Sequence, residues 1–267
     1  MNIRQVESLD LPELEPYRTL RRPQSHIAQG IFVAEGEKVV RRLLDSGLHV
    51  ISILLTQSWL IELQRSYKLA DFDLYVAEKR LLETIVGYPL HQGIMAVARV
   101  PQEPALDRLL PSLPDPLFLM ALDGIVSAEN VGIIVRNAVA FGVQAILAGQ
   151  NSSSPYLRRA VRNSMGTVFR VPVLHVDLLP ALETVRNRCI RVAATPSGER
   201  TIREIKLSDG VCIVLGNEGD GVSDDVLKAC DAHVAIPMKN DTDSINVASA
   251  AAVFGYEIAN QRTPART

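Results

Sequence analysis

Six short apolar runs, separated by stretches of helical periodicity, dominate the chain between residues 117 and 236: 117–122, 145–147, 171–176, 191–194, 211–215 and 234–236. A strand that is apolar at nearly every residue has no face to give to water. Runs of this kind, alternating with helices, therefore belong in a parallel sheet covered on both sides. Such sheets bind ligands beyond the carboxyl ends of their strands, so the loops after these runs are where chemistry is expected. Ahead of them the chain reads as a second, smaller α/β region. A polar lead bearing Arg18, Arg21 and Arg22 precedes a strand at 31–34. Val39, Val40, Leu43 and Leu44 then recur at helical spacing, with Gly47 as the expected cap. A strand at 50–55, a helix at 58–65, and strands at 74–76 and 93–97 complete it. Pro101, Pro104, Pro111, Pro114 and Pro116 lie between the two regions, a density that reads as an extended connector. The expected organisation is thus an N-terminal domain at 1–100, a linker at 101–116 and a C-terminal domain at 117–267 ending in a frayed tail, 261–267.

With 47% hydrophobic and 22% charged residues, the composition is that of a globular protein and excludes disordered and collagen-like classes. The formal net charge of −2 leaves a local basic footprint possible. No carboxylate occurs between Glu129 and Asp177, where Arg136, Arg158, Arg159, Arg162 and Arg170 fall; Arg158, Arg159 and Arg162 are the candidate RNA contacts. A second run holds Arg186, Arg188, Arg191, Arg200, Arg203 and Lys206 against Glu199 and Glu204. Cys189, Cys212 and Cys230 are odd in number and lack C-x-x-C spacing, which argues against a disulfide framework or a zinc site and for a reducing compartment. His26, His49, His91, His175 and His233 are scattered, so no metal is expected. The first residues contain no apolar signal-peptide core. The most apolar stretch, 130–149, is interrupted by Arg136, Asn137 and Gln144, so no membrane partner and a cytoplasmic location are expected.

Three segments carry the functional signal. In the first, Asn130 is a natural N-cap and Gly142 a natural helix terminator. Val131, Ile134, Val135, Ala138 and Phe141 make a buried stripe; Gly132, Arg136 and Ala140 share another face, leaving room around the guanidinium. In the second, the 211–215 strand runs into Gly216, Gly219 and Gly221, which should leave backbone amides open to a ligand. Gly219-Asp-Gly221 begins a dinucleotide fingerprint, with Asp241 downstream as an acidic partner, but Asp224 stands where its third glycine belongs. Glu218, Asp220, Asp224 and Asp225 would repel a pyrophosphate and suit a cationic or zwitterionic ligand. In the third, Ser244 is the expected cap of an alanine-rich helix able to pack closely on another, and Asn246 sits beside it. No G-x-S-x-G, P-loop or H-E-x-x-H pattern occurs.

Taken in order, Asn130-Val-Gly-x-x-x-Arg136, Leu215-Gly-Asn-Glu-Gly-Asp-Gly221, and Ile236-Pro-Met followed by Ser244-Ile-Asn246 resemble the motifs of the SpoU (TrmH-like) RNA 2′-O-ribose methyltransferases of the SPOUT class. Phe32-Val-Ala-Glu-Gly-Glu-Lys38 and His91-Gln-Gly-Ile94 resemble that family's ribosomal-protein-like substrate-binding domain. Two departures are Ile245, where the family has leucine, and Met165, where Ser164-Met-Gly166 replaces Ser-Ala-Gly. The resemblance implies an α/β parallel-sheet SPOUT domain with a deep trefoil knot, a homodimer formed through it, and an active site at the dimer interface. It implies S-adenosyl-L-methionine as cofactor, contacted by Thr195, Gly216, Ile236 and Ile245 with Asn217 and Gly221 nearby. It makes Arg136 the central catalytic residue, with Asn130, Glu218, Ser244 and Asn246 around it. Arginine has a pKa above ~12 and is a poor base, so Arg136 is expected to bind phosphate or stabilise an alkoxide, oriented by Glu218. The two-domain layout favours rRNA over tRNA. Two other readings stay open: a non-catalytic RNA-binding or ribosome-assembly factor on this fold, and, disfavoured by the acidic loop, a nicotinamide-dependent oxidoreductase.

Overall fold

The computed structural model describes residues 2–20, 22–69, 72–86 and 93–263. Arg21, His91, Gln92 and the last four residues of the tail lie outside that set. The chain forms two compact units, one of Met1–Pro101 with Tyr156–Phe169, the other of Gln102–Pro155 with Arg170–Thr267.

The first unit is built on strands β1 (Asn2–Val6), β2 (Ile31–Glu35), β3 (Val50–Leu55), β4 (Asp73–Ala77) and β5 (Ile94–Arg99), in the order β1-β4-β3-β5-β2. β1, β4 and β3 run parallel, and β5 is antiparallel to both of its neighbours. Short helices α1 (Glu15–Arg18) and α2 (Pro23–Ala28) precede β2; α3 (Glu37–Leu44), α4 (Gln57–Gln64) and α5 (Lys79–Val86) follow the strands. Val33, Leu54 and Met95 join Leu14, Tyr17 and Leu82 in one core cluster, where the Tyr17 hydroxyl bonds the Ser52 hydroxyl at 2.9 Å. Burial pushes the Tyr17 hydroxyl well above the usual tyrosine range, so it stays neutral. β1 was hidden in the polar lead: Asn-Ile-Arg-Gln-Val is an edge strand that pairs through its backbone, and of Ile3 to Val6 only Val6 is buried. Gly47 does not cap α3. Asp45 does, and Gly47 takes up the left-handed turn two residues on, at φ +74°.

The second unit holds β6 (Phe118–Asp123), β7 (Ala145–Gly149), β8 (Val173–Val176), β9 (Ile190–Ala194), the two-residue β10 (Arg200–Thr201), β11 (Val211–Gly216) and β12 (Ala232–Ala235). All pairs are parallel, in the order β10-β12-β9-β11-β6-β7-β8. Leu119, Ala121, Leu147 and Val214 pack on one face with Leu178, Ala181, Leu182 and Val185 of helix α9 (Leu178–Val185). Phe118, Met120 and Ile146 alternate with them and are equally buried, as a sheet covered on both sides requires. Helices α7 (Ala128–Ala140) and α11 (Val247–Arg262) pack against each other. Asn137 Nδ2 ties them by donating to the Ala248 carbonyl at 2.8 Å.

The proline tract is not an extended connector throughout. Between Pro104 and Pro114 it folds into a helical turn, α6 (Leu106–Leu109), and a 3-10 turn at Leu110–Ser112. Leu110 is buried, and Leu106, Leu109 and Leu113 pack on the second unit's core. Pro111 falls in the first turn of its 3-10 segment, where a missing N–H costs nothing.

Candidate functional site

β11 ends in Gly216, where a Cβ would sit 2.1 Å from both the Gly221 carbonyl carbon and the Val222 nitrogen; only glycine fits. The chain then closes on itself. The Asn217 amide donates to the Gly221 carbonyl at 2.8 Å, and the Gly221 amide returns to Asn217 O at 3.0 Å. Asn217 Oδ1 accepts the amides of Gly219 (2.8 Å) and Asp220 (3.2 Å), while its Nδ2 donates to the Gly124 carbonyl at 2.6 Å. These amides were expected to face a ligand and instead turn inward. The phosphate cradle that a dinucleotide fingerprint needs is therefore missing. Asp224 opens helix α10 (Asp224–Ala229), with Ser223 at its N-cap.

Glu218, at the tip of this turn, accepts from the backbone amides of Ser127 (3.1 Å) and Val126 (3.3 Å) and from Asn130 Nδ2 (2.9 Å). Partial burial alone would raise its carboxyl. The bonds from Asn130 and the backbone outweigh burial and hold the group below the usual glutamate range. Asn130 Oδ1 in turn accepts from Asn246 Nδ2 at 3.1 Å, so Glu218, Asn130 and Asn246 form one chain of hydrogen bonds. Both expected caps move. Ser127 caps α7, its hydroxyl accepting the Asn130 amide, which frees the Asn130 side chain for Glu218. Asn246, not Ser244, caps α11 by accepting the Ala248 amide at 2.9 Å. Gly142 ends α7 as expected, at φ +80°.

The loops after β9, β11 and β12 and the start of α11 enclose a cleft of about 340 Å³. Thr195, Gly216, Asn217, Gly221, Ile236 and Ile245 all line it, together with Glu218, Ser244 and Asn246. Sequence reasoning assigned no cofactor contact to several of its apolar lining residues, among them Pro196, Met238 (quoted only as part of a motif), Ala250 and Phe254. The last two are four residues apart on α11, a helical spacing that could have signalled them. Among the described residues no lysine, arginine or histidine lines the cleft, and Glu218 is its one carboxylate.

Arg136 is elsewhere: exposed on α7, not among the lining residues, and without a hydrogen-bond or ion-pair partner among the described residues. Its expected orientation by Glu218 is not seen, because the Glu218 oxygens are committed to Asn130 and the backbone. The candidate RNA contacts also separate. Arg158 on α8 (Arg158–Asn163) donates through Nε (2.9 Å) and Nη2 (2.6 Å) to the buried Glu35, an ion pair inside the first unit. Arg159 and Arg162 are exposed on the same helix. The second basic run is largely neutralised within its own unit: Arg191 pairs with Asp231 at 2.7 Å, Arg188 with Asp115 at 2.7 Å, Arg186 with Glu183 at 2.7 Å and Lys206 with Asp209 at 2.8 Å. Met165 takes a left-handed φ of +53°, and its carbonyl accepts from Arg42 Nη1 at 2.6 Å. Among the described residues no His, Cys, Asp and Glu group could hold a metal ion, and no helix is long and apolar enough to cross a membrane.

Residues 117–256 match the SpoU rRNA Methylase family. An uncharacterized tRNA/rRNA methyltransferase of Mycobacterium tuberculosis is 32% identical over 268 residues, covering 96% of this chain and 92% of its own length. The fold is similar to that of an AdoMet-bound rRNA methyltransferase from Sinorhizobium meliloti (TM-score 0.84, 23% identity, 97% of this chain and 98% of that one). It is also similar to the SpoU methyltransferase AviRb from Streptomyces viridochromogenes in complex with AdoMet (TM-score 0.83, 23% identity, 96% and 100%). A further structure, described as an RNA 2′-O ribose methyltransferase, is 25% identical with a TM-score of 0.80 over 97% of this chain and 99% of its own.

Proposed function

Because this chain belongs to the SpoU rRNA methylase family, we propose that it methylates a ribose 2′-hydroxyl of structured RNA, rRNA in preference to tRNA, using S-adenosyl-L-methionine. One observation carries the reading: nine of the expected site residues, at 195, within 216–221 and within 236–246, line a single cleft at the carboxyl ends of β9, β11 and β12. The lining fits the cofactor. Ile236, Ile245, Met238 and Phe254 offer apolar surface for an adenosine. Gly216 lets the backbone of the next loop approach where no side chain could stand. Glu218, kept ionised by its donors, places negative charge where a sulfonium is suited and a pyrophosphate is not. The 2′-O specificity is supported by the 25%-identical relative described by that activity.

When bound, the cofactor supplies an activated methyl group for in-line displacement. The protein's part is positioning and charge. The Glu218–Asn130–Asn246 chain joins the β11 turn to the entrances of α7 and α11, so these pieces of the cleft are held as one. Arg136 binds a phosphate of the RNA or stabilises the developing alkoxide through its planar fork of donors. Its absence from its own chain's cleft supports a homodimer through the cofactor-binding domain, knotted as in the family, in which Arg136 serves the partner's cleft. Exposed Ile133, Val253 and Tyr256 on α7 and α11 supply the apolar face for that contact.

The test is transfer of label from methyl-labelled S-adenosylmethionine into unmodified total RNA, with Arg136→Ala alongside. The expected result is label in an rRNA, at a nucleotide made resistant to alkaline cleavage, lost in the variant. Label in tRNA would overturn the rRNA preference. Alkali-sensitive label would overturn the 2′-O assignment, and full activity of Arg136→Ala would remove that residue from catalysis.

A further inference from the structure

In the first unit, a second cleft, of about 650 Å³, opens at the carboxyl ends of β1, β3 and β4. Its chemistry differs from that of the cofactor cleft. Gln57 and Ser58 present exposed donors and acceptors, Trp59 presents an aromatic ring, and Lys79 and Arg80 stand against Glu78, the one carboxylate among the described lining residues, with Glu83 3.9 Å from Lys79. The Gln57 amide is already held by Gln5 Nε2 at 3.3 Å, and the Arg41 guanidinium lies 5.8 Å from the Trp59 ring centroid. Amides beside an indole, with cations at the mouth, match what a nucleotide offers: a π-face, edge donors and acceptors, and a phosphate. An anion alone would leave the indole and the amides without a purpose. A base within a duplex hides its face.

We propose that this cleft captures one unpaired nucleotide of the RNA substrate, its base against Trp59 and its phosphate on Lys79 and Arg80. The proposal rests on the reading of the chain as an RNA-modifying enzyme and narrows the substrate binding expected of the first unit to one cleft and one kind of RNA feature. The site would select RNA carrying an unstacked base, such as a loop or bulge, rather than continuous helix.

Trp59 is the chain's only tryptophan, so its fluorescence reports this cleft without interference. The full-length protein is titrated with a single-stranded oligoadenylate and with a blunt RNA duplex of equal length, and methyl transfer to total RNA is measured on the same preparation. The expected result is saturable quenching by the single strand and none by the duplex. A Lys79→Ala/Arg80→Ala protein should bind more weakly, with the slope of log Kd against log salt reduced by about 0.7 for the one phosphate no longer neutralised on a single strand. No quenching, equal quenching by the duplex, or an unchanged double variant would each overturn the proposal. If RNA is methylated while Trp59 stays silent, only this cleft's assignment fails. If Trp59 reports single strands while no label is transferred, it is the enzymatic reading that fails.

Discussion

Glu218 is the residue on which the cofactor cleft turns. It is well exposed, yet its carboxyl lies below the usual glutamate range, because the donors from Asn130, Ser127 and Val126 stabilise the ionised form more than partial burial penalises it. Its charge therefore persists through the neutral range. If that charge faces a sulfonium, removing it must discriminate between the cationic cofactor and its neutral thioether product. Glu218→Gln is expected to weaken S-adenosylmethionine by about two- to fivefold, the ~0.4–1 kcal/mol of a solvent-screened pair, and to leave S-adenosylhomocysteine nearly unchanged. Calorimetric titration with both ligands checks it; an equal loss on both would mean that Glu218 acts only by holding the loop. The neighbouring residues show what residue type alone can reveal. Gly216 stood out as one of three closely spaced glycines, and Asn217 entered only through the family resemblance; the inward-closing turn that Asn217 makes was legible from neither. The helix caps were not legible either: Ser127 and Asn130, like Ser244 and Asn246, are both competent, and only Glu218's pull on Asn130 and the path of the 244–247 segment decide between them.

At the scale of elements, apolar runs were strong predictors and charge runs weak ones. β6 and β11 were visible because strands buried on both faces must be apolar throughout. β1 was invisible because an edge strand is held by backbone bonds that leave no mark on its side chains. Arg158 shows the weakness of counting charges. A guanidinium in a run without nearby acids looks available for phosphate, yet its partner, Glu35, is 123 residues earlier in sequence and buried at the end of β2. Together they hold α8 against the first unit's sheet, where Phe32 also meets Tyr156 and Phe169 at ring-centroid distances of 5.3 and 5.5 Å. Arg158→Met should therefore act on stability first, costing about 3 kcal/mol by taking two strong donors from a buried carboxylate. Glu35→Gln/Arg158→Met should recover more than half of that loss, since no buried charge is left to satisfy. Urea unfolding of the three proteins measures both. A fully stable Arg158→Met protein with weakened RNA binding would return the residue to the substrate.

Over the whole molecule, acidic and basic residues nearly balance, and much of the basic complement of the second unit is spent on its own carboxylates and carbonyls. Arg188 donates to the Leu110 and Leu113 carbonyls and to Asp115, fastening the proline tract to this unit. Arg191, with only 9% of its side chain exposed, reaches Asp231 by two side-chain bonds and Glu183 at 3.5 Å. Charge inside the fold therefore links the stability of the unit to pH. The Arg191 hydrogen bonds hold the Asp231 carboxyl below the usual aspartate range, against a smaller opposing effect of burial. A carboxyl whose native pKa is depressed binds its proton more readily when unfolded. Its contribution is therefore full above the unfolded value of about 3.9 and drains away as pH falls from there through the native value. Asp231→Asn removes that dependence and leaves Arg191 with a neutral partner. The variant should be less stable than the parent at pH 7, by a margin that shrinks steadily below about pH 4, so that the two denaturant midpoints converge in acid. Urea midpoints across pH 2.5–7 decide it. A constant offset at all pH values would mean that Asp231 holds β9 by hydrogen-bond geometry alone, with its charge contributing nothing to the acid limit of the fold.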